Sequence, residues 1–124
     1  MPTKAQYRLP PSARLKSKRD FNRVQQRSGE SLKSYGRGFL VLALNTDFAR
    51  SRIGITVTLK IDKRAVVRNL IKRYVREVFR VLAPEFTRSA DIVVIARQDS
   101  VGFDLAAAEK ELRSSFARLG LLRP

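Results

Sequence analysis

Arg68, Lys72, Arg76 and Arg80 stand four residues apart within "DKRAVVRNLIKRYVREVFR" (Asp62 to Arg80). On a helix such residues share a face, and like charges there repel by roughly 0.2–0.5 kcal/mol per pair. A helix that needed only solubility would interleave acids, and here Glu77 alone does so. The chemistry suited to this row is recognition of phosphates, because guanidinium groups give them charge-assisted, often bidentate hydrogen bonds. Asn69 and Arg73 lie beside the row. The Asn69 amide suits a ribose, a phosphate or a base edge. The competing reading is a solvated basic face.

Composition favours the polyanion. The 124 residues carry 26 Lys+Arg against 11 Asp+Glu, a formal charge of +15. Self-repulsion of that size opposes the compact state unless a partner of opposite sign relieves it. Nucleic acid is the first candidate and an anionic membrane surface the second. The hydrophobic fraction of 44% is enough for one core, so the chain is not a disordered basic tail. Cys and His are absent, which removes thiolate chemistry, the commonest general base and the commonest metal ligands. The carboxylates (Asp20, Glu30, Asp47, Asp62, Glu77, Glu85, Asp91 and those from Asp99 on) are scattered, whereas two-metal hydrolysis needs them clustered. No catalytic residue and no metal ligand is assigned; any chemistry draws its reactive groups from elsewhere. Without an apolar h-region in "MPTKAQYRLPPSARLKSKRD" or a long apolar run, a soluble cytoplasmic protein is expected.

The elements that must position the row follow from periodicity. Residues 1–13, with Pro2, Pro10 and Pro11, read as a flexible basic arm, and 14–124 as a single domain. "KSKRDFNRVQQRSG" reads as a short helix, with Ser17 or Asp20 as N-cap and Gly29 as stop. "RGFLVLALN" (Arg37 to Asn45) is a strand. "RIGITVTLKI" (Arg52 to Ile61) alternates, with Ile53, Ile55, Val57, Leu59 and Ile61 on one face and Gly54, Thr56, Thr58 and Lys60 on the other. The basic helix follows and stops near Leu82 as Pro84 approaches. "DIVVIAR" (Asp91 to Arg97) reads as a buried central strand. A last helix runs from an Asp104 N-cap to Gly120. The order α-β-β-α-β-α gives an α+β fold with helices on a mixed sheet. On the basic helix, at about 100° per residue, Val67, Leu70, Ile71, Tyr74, Val75, Val78, Val81 and Leu82 fall within roughly 140°.

"KRAVVRNLIKRYVRE", preceded by "RIGITVTLKI" and followed by "DIVVIAR", resembles the protein subunit of bacterial ribonuclease P. The resemblance runs from "RLKSKRDF" (Arg14 to Phe21) to the C-terminal helix. Its specific part is the Arg-Asn pair inside Ala-Val-x-Arg-Asn-x-x-Lys-Arg-x-x-Arg-Glu, directly after a Gly-x-Thr-Val strand. It implies a two-layer α-β sandwich whose basic helix sits in a left-handed βαβ crossover, against the usual right-handed rule. It also implies a partner, a catalytic RNA subunit, and a substrate, precursor tRNA. The RNA and Mg²⁺ bound mainly by it would hydrolyse one phosphodiester and release the 5′ leader. Neither a membrane nor an obligate protein partner is implied.

By position, the resemblance assigns Lys60, Lys63, Arg64, Arg68, Asn69, Lys72, Arg73 and Arg76 to RNA binding, and the four-residue spacing adds Arg80. It assigns Phe21, for which core packing is the competing reading, to a cleft for the single-stranded leader. Thr56 and Thr58, on the polar face of their strand, are expected on its floor, and Arg14, Lys16 and Lys18 are expected to grip the leader by charge. Three departures stand out. Leu70 replaces a usual second Arg and joins the apolar arc. Leu59 replaces the first of a Lys pair and falls on the buried face. Gln25 and Leu42 stand where relatives often carry rings, leaving the cleft poor in aromatics. A ribosomal or other structural RNA-binding protein explains the charge and the helix, but not the strand–helix–strand match. A DNA-binding module lacks helix-turn-helix spacing and zinc ligands.

Overall fold

Two unbroken apolar runs become the middle of the sheet. The computed structural model describes residues 13–15, 18–26, 32–46 and 50–123. Its elements are α1 (Lys18–Gln26), β1 (Leu32–Tyr35), β2 (Phe39–Asn45), β3 (Arg52–Thr56), α2 (Ala65–Leu82), β4 (Ala90–Ala96) and α3 (Leu105–Arg118). The strand order is β1-β2-β4-β3. β2 and β4 are central and buried on both faces, which is why they read as continuous hydrophobic runs. β2 runs antiparallel to β1 and β4, and β3 runs parallel to β4. The sheet is therefore mixed, and α2 is the crossover joining its two parallel strands. The expected order lacks one element, β1. "LKSY" is short and polar; Lys33 and Tyr35 are exposed and only Ser34 is buried among the residues after Leu32, so it gives almost no apolar signal.

Alternation sorts the core onto both faces. Phe39, Val41, Ile53, Ile92 and Val94 meet Ile71, Val75, Val78 and Phe79 of α2 and Leu112 and Phe116 of α3. Leu42, Leu44 and Val93 point the other way, onto Leu15 and Val24. α1 thus packs on the face opposite the two longer helices, and the sandwich carries a partial third layer. Residues 1–12, with the arm expected there, lie outside the described residues, as do Lys16, Ser17 and Gly29. Ala13, placed at the end of that arm, is already buried.

Two boundaries differ from the expectation. β3 ends at Thr56, and Ile61 N–H donates to Thr58 O at 3.0 Å to make a turn. The alternation had extended the strand through that turn, so Leu59, expected on the buried face, is 65% exposed. The buried arc of α2 (Ile71, Val75, Val78, Phe79, Leu82) is rotated toward Phe79 relative to the expected one. Leu70 and Val81, counted within the arc, are 41% and 45% exposed. Phe79 is pulled in by aromatic packing, its ring edge-on to Phe86, which is edge-on to Phe116, at 6.0 and 5.2 Å.

α3 ends as its sequence specifies. Asp104 accepts from Ala107 N–H at 2.8 Å, and Gly120 turns with φ 77° so that Leu121 N–H reaches Phe116 O at 2.9 Å. Among the described residues, no helix is long and apolar enough to cross a membrane.

Candidate nucleic-acid interface

The cationic face of α2 begins at a locked junction. Asp62 accepts from the backbone N–H, Nε and Nη2 of Arg64 at 2.8, 3.0 and 2.9 Å. These bonds from the Arg64 side chain and then its backbone hold the Asp62 carboxyl at about 2, so it stays ionised at any physiological pH. Arg68 Nη1 donates to the carbonyl oxygens of Asp62 and Lys63 at 2.9 and 2.8 Å. A guanidinium has five N–H donors, so Arg68 is oriented without being used up. Each four-residue step along the row rises about 6 Å.

Lys60, Lys63, Arg64, Asn69 and Arg73 are exposed, and Arg68, Lys72, Arg76 and Arg80 are half-buried along the edge of the core face. Among the described residues, no carboxylate lies within ion-pair distance of Arg68, Lys72, Arg73 or Arg76. Arg80 differs. Its Nη2 donates to Glu77 Oε1 at 2.6 Å, which holds the Glu77 carboxyl below its usual range.

Arg14 belongs with this row. It bridges to Ile53 in parallel, and Leu15 N–H donates to Ile53 O at 2.8 Å, so residues 14 and 15 extend the sheet beyond β3. Burial lowers the Arg76 pKa, and the nearby Arg14 charge lowers it further. Arg14 Nε is itself buried without a hydrogen-bond partner among the described residues. Two guanidinium groups drawn from different elements are thus near enough to repel. Arg14, expected to grip the leader by charge, lies near Arg76 of α2.

The opposite face of the sheet carries the second set. The strand registers align Tyr35, Leu40, Ile95 and Thr56 in one row, Lys33, Leu42, Val93 and Gly54 in the next, and Leu44, Asp91 and Arg52 in a third. The last two rows hold buried Leu42, Leu44, Val93 and Asp91. The first row is open, with Tyr35 64% exposed. Phe21 of α1 sits half-buried with its ring on Gly54, where any Cβ would collide with ring carbons. Gly54 is thus required by a close approach. Phe21 and Thr56 are brought together along this floor. Thr58 is not; it lies exposed past the end of β3. Lys18 is exposed on α1, and Lys16 lies outside the described residues.

Sequence reasoning missed two contributors. Tyr35 supplies an exposed ring to a floor expected to be poor in aromatics, and no signal in "LKSY" could have found it, because only the β1–β2 register places it opposite Leu40. The other is the anchor of α1. Asp91 is fully buried and accepts from Arg52 Nε and Nη2 at 2.9 and 2.7 Å and from Arg23 Nη2. Arg52 also faces Asp20 at 3.7 Å. The Asp91 hydrogen bond, outweighing burial, raises the Arg52 pKa. Two carboxylates and two guanidinium groups therefore fasten α1 to β3 and β4, and with it Phe21.

Among the described residues, no group of three or more potential ligands could hold a metal ion. The arrangement offers binding surfaces: a phosphate-matching row on α2, and across the sheet an open floor with rings near both ends.

Comparison with known proteins identifies the family. The family model described as ribonuclease P matches residues 9–120. The ribonuclease P protein component of Lactobacillus gasseri is 37% identical over 102 residues, covering 82% of this chain and 81% of that protein. That of Synechocystis sp. is 33% identical, covering 92% and 90%. Among solved structures, a mutant of the Staphylococcus aureus RNase P protein matches with a TM-score of 0.80 at 29% identity, covering 90% of this chain and 91% of that one. The RNase P protein from Thermotoga maritima, in complex with a fluorophenyl thiourea, gives 0.71 at 31% identity, covering 81% and 94%. With the family model matched over nearly all of the fold, the chain belongs to the ribonuclease P protein family, the protein component of the ribonucleoprotein endoribonuclease that processes tRNA 5′ ends.

Proposed function

We propose that the chain binds the catalytic RNA subunit through the cationic face of α2 and holds the 5′ leader of precursor tRNA on the open floor beside Phe21, acting in the cytoplasm. The observation that carries the first half is the row Arg68, Lys72, Arg76, which keeps its charge without a carboxylate partner among the described residues. Phosphates supply the missing counter-charge, and Asn69, exposed beside the row, adds a neutral amide. The second half rests on the rings. A base stacked on Phe21 or Tyr35 gains roughly 1–3 kcal/mol without regard to sequence, which suits leaders that vary.

The protein's share is to bind and orient. Its positive charge screens the RNA and lowers its demand for cations. Mg²⁺ held mainly by the RNA would supply the charge stabilisation for phosphodiester hydrolysis. No residue of the row on α2 or of the floor is assigned a catalytic or metal-binding role.

Reconstitution tests this reading. Purified protein should not cleave precursor tRNA alone, yet it should stimulate a cognate catalytic RNA at low Mg²⁺. Phe21→Ala should weaken binding of leader-bearing precursor by about 5- to 150-fold, the equivalent of one lost stack. Mature tRNA binding should be unchanged. Equal losses for both substrates would make Phe21 a packing residue only.

A further inference from the structure

The cationic row does not end at Arg76. One turn further on, Arg80 forms part of the wall of a cavity of about 490 Å³ at the C-terminal end of α2. Arg50 and Arg88 line the same cavity, Phe86 and Pro84 give it an apolar side, and none of the described lining residues is acidic. We propose that this cavity accepts one nucleotide of the RNA partner, with its phosphate among Arg50, Arg80 and Arg88 and its base against Phe86. The inference rests on the reading of α2 as an RNA-binding face and extends it to a site that the family motif does not include.

Three observations converge. The volume suits a small ligand of nucleotide size. Two of the guanidinium groups are held at the wall: Arg88 Nη2 donates to Leu119 O at 3.0 Å and Arg80 is braced by Glu77, so they are oriented before any ligand arrives. Arg88, which uses one of its five N–H donors on Leu119 O, keeps others for a phosphate. The path is also continuous. Arg76 precedes Arg80 by one turn, Arg14 lies beside Arg76, and Ala13, next in the chain to Arg14, lines the cavity. A strand of RNA following the row is thereby led into it.

The chain has no cysteine, so a single introduced thiol is unique. In the full-length protein bound to catalytic RNA, an iron–EDTA probe tethered at Pro84→Cys, on the exposed lip, should cut the RNA backbone at discrete nucleotides. The same probe at Ala106→Cys, exposed on α3, should not. Arg88→Gln should reduce the slope of log K against log salt by roughly 0.7–0.9, the contribution of one phosphate, and Arg88→Lys should restore it. Absence of either result, with Arg68→Ala still lowering the slope, would overturn the cavity assignment and leave the α2 reading intact. A slope insensitive to Arg68 as well would remove both.

Discussion

Replacing Asp91 with alanine should destabilise the fold by about 3 kcal/mol, the lower end of what removal of one partner from a buried ion pair costs. The lower end applies because Arg23 and Arg52 are 38% and 21% exposed and can recover some hydration once Asp91 is gone. Against a typical domain stability of about 5–15 kcal/mol this is a large fraction, and a shifted denaturant midpoint with unchanged slope would register it. Asp91→Asn, which keeps shape and an acceptor, should cost less. The substitution has a functional signature too. Losing Asp91 loosens α1 on the sheet, because Arg23 and Arg52 meet on that one carboxylate and only the longer Arg52–Asp20 pair and apolar packing remain. Below its melting temperature the variant should therefore lose discrimination between precursor and mature tRNA while keeping its affinity for catalytic RNA through α2. Parallel loss of both affinities would mean that the two faces do not separate energetically.

The parts of this molecule written as periodicity were legible in the sequence. β2, β4, α3 and the basic helix came from apolar runs, a 3.6-residue repeat and capping residues, because each is governed by neighbours in the chain. Parts that depend on a partner distant in sequence were not. Asp91 looks like the polar start of a strand until Arg23 and Arg52 are placed around it, 68 and 39 residues away. β1 exists because β2 offers it an edge, not because "LKSY" is strongly apolar. The rotation of the buried arc toward Phe79 follows from two other rings, Phe86 and Phe116, that no helical wheel contains. Of the candidate site, the cationic row was visible because charges spaced by four need no tertiary information. Arg14's neighbour Arg76, Tyr35's place on the floor and the exposure of Leu59 all required the registers of β1 and β3. The resemblance to a family supplied the leader cleft, and the structure then redistributed its members between two faces of the sheet.

Removing three charges from α2 tests whether that row binds RNA or merely faces water. The triple variant Arg68→Ala, Lys72→Ala, Arg76→Ala should bind catalytic RNA about 10³-fold more weakly, taking roughly 1.5 kcal/mol for each charge-assisted bond lost. The slope of log K against log salt should fall by roughly 2–3 units, since each phosphate contact contributes about 0.7–0.9. Folding should respond differently. The substitutions relieve repulsion along Arg68–Lys72–Arg76–Arg80 and between Arg76 and Arg14, and alanine is the better helix former. Against this stand the two hydrogen bonds from Arg68 to Asp62 O and Lys63 O. The opposing changes should leave the free protein's stability within about 1 kcal/mol of the parent. Weakened RNA binding in a protein that folds as well as before is what a binding row requires. A solvated face would give neither the affinity loss nor the change in salt slope, and an unchanged slope would take α2 off the RNA.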